Sequence, residues 1–150
     1  MSAGSPTSFR RLSRKTEKLD GATIHRIIVC TLCRDVPTGI RSGETLCGDL
    51  RSRLSAHHDP DVAHGFTVEG VACMAGCARP LAVAFHAPGK AVYLFGSIDA
   101  EADAGDLVRF AGLYASLADG WCDSGQRPPR LASKTLARIP GSGTSAEGSR

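Results

Sequence analysis

No apolar run in this 150-residue chain reaches the ~20 residues that a bilayer-spanning helix needs, so no segment reads as a membrane span and no membrane partner is expected. There is also no internal repeat, no phosphate-binding glycine loop, no nucleophile–base pair and no paired carboxylates. Enzymatic activity therefore finds no support in the residues. A one-sided charge on the folded part is missing as well. The net charge is +3, and Arg10, Arg11, Arg14, Lys15 and Lys18 against Glu17 and Asp20 account for all of it, leaving thirteen basic and thirteen acidic residues elsewhere. A nucleic-acid binder carries its basic patch on the domain, so no nucleic-acid partner is expected.

The sequence does have the means to fold. Apolar residues make up 42%, enough for one domain with a real core. Residues 1–22 read as a disordered basic leader, 23–140 as the domain and 141–150 (GSGTSAEGSR) as a flexible tail. The paired arginines of Ser8-Phe9-Arg10-Arg11-Leu12 resemble a twin-arginine signal, but a charged stretch follows where an apolar one is required. The expected location is cytoplasmic. Reducing cytosol disfavours structural disulfides, so the spacings Cys30-x2-Cys33 and Cys73-x3-Cys77 point to a metal or to thiol redox chemistry.

Periodicity places those pairs. Ile24–Val29 reads as a strand ending at Cys30, and Phe66–Val71 as a second strand running into Cys73. Leu46, Leu50 and Leu54 recur every four residues and predict a helix from Gly43 to about His57, followed by a loop at Asp59-Pro60 and Gly65. Leu81–Phe85 and Ala91–Phe95 form a hairpin around the turn Ala87-Pro88-Gly89-Lys90. Asp99 is the expected N-cap of a helix reaching Leu117, with Leu107, Phe110, Ala111 and Tyr114 on its core face. After Pro128-Pro129, Leu131–Arg138 reads as short helix or coil. This order predicts an α/β, thioredoxin-like domain with a mixed four-stranded sheet, whose middle helix is replaced by the short Cys73–Cys77 segment. Parallel pairing of the first two strands would bring both cysteine pairs to one edge of the sheet.

Four thiolates meeting there suit a [2Fe–2S] cluster, two per iron, so Cys30, Cys33, Cys73 and Cys77 are the expected ligands. Met74, Ala75, Gly76 and Ala78 fill the second loop with small or apolar groups. Zinc on the same four sulfurs stays open. The five histidines (His25, His57, His58, His64 and His86) sit at no ligand spacing from the cysteines, and Cys122 reads as packing. Arg34 directly follows Cys33 and Arg79 comes two residues after Cys77, where they can offset cluster charge or guide an acidic partner.

Three segments carry a resemblance. They are Val29-Cys30-Thr31-Leu32-Cys33-Arg34, Cys73-Met74-Ala75-Gly76-Cys77-Ala78-Arg79-Pro80, and Ala87-Pro88-Gly89-Lys90 through Tyr93-Leu94-Phe95-Gly96. With Asp119-Gly120-Trp121 and Leu136-Ala137-Arg138-Ile139-Pro140, they make residues 24–140 similar to a bacterial "predicted metal-binding protein" family, related to the thioredoxin-like [2Fe–2S] ferredoxins. The resemblance implies a cluster-binding fold with no established reaction, and it leaves homodimerisation open. The first cysteine pair of those ferredoxins is spaced more widely, which makes Cys47 a rival to Cys33. Cys47 also lies on the apolar side of the leucine helix, where a cysteine is usually a small buried hydrophobe. The leading expectation is an electron carrier working with a redox partner protein. Zinc or iron handling or sensing comes second, and a thiol–disulfide oxidoreductase on Cys30 and Cys33 third, because it leaves Cys73 and Cys77 idle.

Overall fold

The computed structural model describes residues 24–34, 39–74 and 79–141; the basic leader, most of the C-terminal tail and Cys77 lie outside the described residues. Strand β1, His25–Cys30, buries His25, Ile27 and Val29 and leaves Arg26 and Ile28 half-buried, the alternation of a strand with one face on a core. Strand β2, Phe66–Val71, pairs parallel with it, from His25 opposite Phe66 to Cys30 opposite Val71. The crossover between them runs through helix α1, Gly43–Ser55, and helix α2, Pro60–Gly65. Strand β3, Val83–His86, lies antiparallel on the other side of β1, and strand β4, Val92–Phe95, antiparallel to β3. The β3–β4 turn closes with the Lys90 N–H donating to Ala87 O at 3.1 Å and with Gly89 at φ 74°, a backbone that glycine adopts without strain. The strand order β2-β1-β3-β4 is thioredoxin-like, as the sequence predicts.

One helix and one strand correct that prediction. Asp59-Pro60 is not a loop but the start of α2, with Asp59 as N-cap accepting the Asp61 N–H at 2.9 Å and Pro60 in the first turn. The sheet has five strands, not four. Thr135–Ile139 is strand β5, paired antiparallel with β4 after the short helix α4, Pro129–Ala132. Thr135, Leu136, Ala137 and Arg138 are half-buried and Ile139 is exposed, so no strong alternation marks it. It holds through the ladder to β4, and Arg138 stacks over Trp121 at 3.8 Å.

The core lies between the sheet and helices α1 and α3, the latter spanning Ala104–Ser116. Leu46, Leu50 and Leu54 of α1 and Leu107, Phe110, Ala111 and Tyr114 of α3 are all buried. Phe110 and Tyr114 meet Phe85, Tyr93 and Phe95 of the sheet in a set of mostly edge-to-face rings. Lys90, buried by the same turn that positions it, donates to Tyr114 O at 2.8 Å and Ala115 O at 3.3 Å, closing the C-terminal end of α3. His25 Nε2 lies 3.0 Å from the same ammonium. Burial pulls the Lys90 pKa below its usual value, opposed by Asp119.

The N-cap of α3 is Asp103 rather than Asp99. The Asp99 carboxylate instead takes the N–H groups of Glu101 and Ala102, forming the turn before the helix. Asp103 is fully buried, accepting from the Asp99 N–H at 2.8 Å, from Arg130 Nε at 2.6 Å and from Lys134 Nζ. Burial alone would raise its pKa, but those three donors outweigh it and hold the carboxyl below its ordinary range. A depressed folded pKa gives stability that is present above the unfolded value, near ~3.9, and lost as pH falls through the folded value. Stability measured by denaturant titration should therefore drop on acidification below about pH 4, and Asp103→Asn should flatten that limb. Among the described residues no helix is long and apolar enough to cross a membrane.

Candidate metal centre

Parallel pairing of β1 and β2 continues past both strand ends. Thr31 donates to Val71 O from its N–H at 2.7 Å and from its hydroxyl at 3.0 Å, and the Leu32 N–H donates to Ala72 O at 3.2 Å. The loop Cys30–Cys33 thus runs beside Ala72–Met74. Helix α1 then presses on it from the side. A Cβ on Gly43, the first residue of the helix, would stand 2.3 Å from Cys30 O and 2.8 Å from Thr31 Cα. Both are backbone atoms and cannot swing away, so only glycine fits there. Gly43→Ala should displace the cysteine loop and open the buried Cys30 and Cys33 to thiol reagents, while Gly48→Ala, with open space around it, should change neither thiol reactivity nor fold.

Cys30, Cys33 and Cys73 all line one cavity of about 400 Å³, together with Leu32, Arg34, Arg41 and Pro80. Cys30 and Cys33 are buried and Cys73 is exposed. As a thiol, Cys30 donates to Ala72 O at 3.5 Å. Its burial works against the thiolate, but hydrogen bonds from the Cys33 side chain and from the N–H groups of Leu32, Cys33 and Met74 prevail and lower the pKa below the usual thiol value. Donors that favour a thiolate also favour a metal-bound sulfur.

Cys47 does not line this cavity. It is buried on α1, against β2, where a Cβ on Gly70 would stand 3.8 Å from its sulfur. Burial raises its pKa, with Arg51 pulling the other way. No histidine lines the cavity either: His25 is engaged with Gly65 O and Lys90, and His57 stacks on His58. Cys122 is buried 3.4 Å from the Tyr93 hydroxyl, in the packing between β4 and the segment before α4. Arg34 donates to Gly39 O at 3.1 Å, whereas Arg79 is turned to the Ser97 hydroxyl at 2.9 Å and away from the cavity lining. Arg41 escapes the sequence reading, because its place follows from α1 docking on the cysteine loop rather than from any motif.

The donor set is soft. Among the described residues the cavity offers thiols and no carboxylate or imidazole, which fits a thiophilic metal or cluster and not a hard cation. Among the described residues no three of His, Cys, Asp and Glu are close enough together to hold an ion, and the expected fourth ligand, Cys77, lies outside them.

The comparisons with known proteins add a family. A family model described as protein of unknown function (DUF1636) matches residues 27–141. Two solved structures of a thioredoxin-like [2Fe–2S] ferredoxin from Aquifex aeolicus are similar to the chain. One is 18% identical, covers 83% of this chain and 100% of its own, and has a TM-score of 0.49. The other, of the wild-type ferredoxin, is 16% identical, covers 77% and 99%, and has a TM-score of 0.47. No curated protein matches.

Proposed function

The chain belongs to the DUF1636 family, proteins of unknown function, and we propose that its domain carries a [2Fe–2S] cluster on Cys30, Cys33, Cys73 and Cys77 and passes single electrons to a redox partner protein. One observation supports this above the rest: three of these cysteines line the same cavity, and backbone N–H groups favour the thiolate of the most buried one. When bound, the cluster supplies the one-electron couple. The chain's own residues do the rest. Hydrogen bonding from the Cys33 side chain and from the backbone at Leu32, Cys33 and Met74 favours the Cys30 thiolate, which stabilises negative charge there and tunes the potential. Burial of Cys30 and Cys33 limits water on one side, and Arg34 and Arg41 offset the charge of a thiolate-ligated centre.

The test is the visible spectrum of anaerobically purified protein, with iron, sulfide and zinc assayed on the same sample. The expected result is a red-brown protein with equal iron and acid-labile sulfide, bleached by dithionite. Zinc without sulfide would replace this reading with metal handling or a structural zinc. A second reading has its own support, since the Cys33 side chain hydrogen-bonds to Cys30 and the Cys30 pKa is lowered, as in a redox dithiol. Metal-free protein with a reversible Cys30–Cys33 disulfide would favour it.

A further inference from the structure

We propose that the mouth of the Cys30–Cys33 cavity is a docking face for an acidic protein, one that sets carboxylates around an apolar centre. The inference deepens the electron-carrier reading and rests on it. Large apolar side chains that stay exposed are few among the described residues: Leu32 at 50%, Ile40 at 61% and Ile139 at 54%. One of these three lines the cavity, and a second is the chain neighbour of a lining residue. Leu32 lines it, and Ile40 directly precedes Arg41, which also lines it. The hydrogen bond from Arg34 to Gly39 O ties the two segments together, and Leu32, Arg34 and Arg41 line the same cavity.

Charge selects the partner. Arg34 and Arg41 line the mouth, and no carboxylate does among the described residues. Elsewhere Arg26, Arg53, Arg109 and Arg130 each hold a carboxylate, while Arg51, Arg79, Arg127 and Arg138 donate to a carbonyl or a hydroxyl. Arg34 and Arg41 hold none among the described residues. Since acidic and basic residues balance outside residues 1–20, this concentration of positive charge does not follow from composition. Two exposed cations around an apolar patch attract and orient a surface of opposite charge, the arrangement of weak, salt-sensitive encounters. Location agrees with purpose. Cys73 is the exposed cysteine of the cavity, so a protein seated on this face comes closest to the proposed centre.

The experiment measures affinity of the full chain, purified anaerobically, for two probe carriers by biolayer interferometry at low and physiological salt. Flavodoxin is the acidic probe and cytochrome c the basic one. Binding to flavodoxin, weakened by salt and absent with cytochrome c, is the expected result. Arg34→Glu or Arg41→Glu should each weaken it about tenfold, and Leu32→Ser severalfold. Arg53→Glu makes the same change in charge near the far end of α1, roughly 15 Å along the helix, and should change affinity less than twofold. No flavodoxin binding, equal binding of both probes, or equal losses in all three arginine variants would overturn the docking face. Iron and sulfide are assayed on every sample. Their absence overturns the cluster, while the docking face is judged on affinity alone, so the two failures are told apart.

Discussion

Cys30→Ser should yield a protein that folds but retains almost no iron or sulfide, the largest functional effect expected of any single substitution. Cys30 is 1% exposed, sits at the last position of β1, and receives the N–H groups of Leu32, Cys33 and Met74. A serine hydroxyl there does not ionise near neutral pH and is a poor ligand for a thiophilic metal. The control is Cys47→Ser. That cysteine is 4% exposed, so the substitution buries a hydroxyl in the same way and carries a similar stability cost of about 1–3 kcal/mol. It does not touch the cavity, and metal content should stay near that of the unsubstituted protein. The pair therefore separates ligand loss from destabilisation. Cys73→Ser and Cys77→Ser should behave like Cys30→Ser. Full occupancy in Cys30→Ser would dismantle the ligand set, and metal loss in Cys47→Ser with retention in Cys33→Ser would exchange Cys47 for Cys33.

The reasons some of this was legible in the sequence, and some not, are physical. Phe66–Val71 matches its strand residue for residue, because period-2 alternation is a local signal that parallel pairing with β1 only reinforces. The leucines of α1 and the i, i+3, i+4, i+7 set of α3 likewise declare their buried faces. Once β1 and β2 are parallel neighbours, Cys30 and Cys73 must lie at one sheet edge, and both line the same cavity. What escaped depends on contacts made at a distance. Arg41 reaches the cavity only because Gly43 lets α1 dock on the cysteine loop. Asp103 stands at the start of α3 with its carboxylate taken by Arg130 and Lys134, about thirty residues later, rather than by a helix N–H, which no local motif announces. β5 is an edge strand with no buried face of its own, so only its partner β4 identifies it.

Phe110→Ala should be the most damaging substitution for stability, costing about 3–5 kcal/mol. Phe110 is fully buried, and its ring centroid lies 4.8 Å from Phe85, 5.0 Å from Tyr93 and 5.2 Å from Phe95. It is therefore the point where α3 grips both strands of the β3–β4 hairpin. Truncation to alanine loses the transfer free energy of the ring and leaves a cavity whose walls are themselves bulky rings on separate elements, which cannot all close on the gap. Ile139→Ser is the contrasting change: that side chain is 54% exposed on β5, and the effect should stay within about 0.5 kcal/mol. Denaturant titration of both variants checks the ranking. The metal assay extends it to function. The rings that hold Phe110 belong to β3, β4 and α3, while the cavity is built from the loops after β1 and β2 and the start of α1. Phe110→Ala should therefore keep its metal under conditions where it remains folded. Loss of metal from folded Phe110→Ala protein would mean instead that the sheet's aromatic packing sets the spacing of the thiols across β1 and β2.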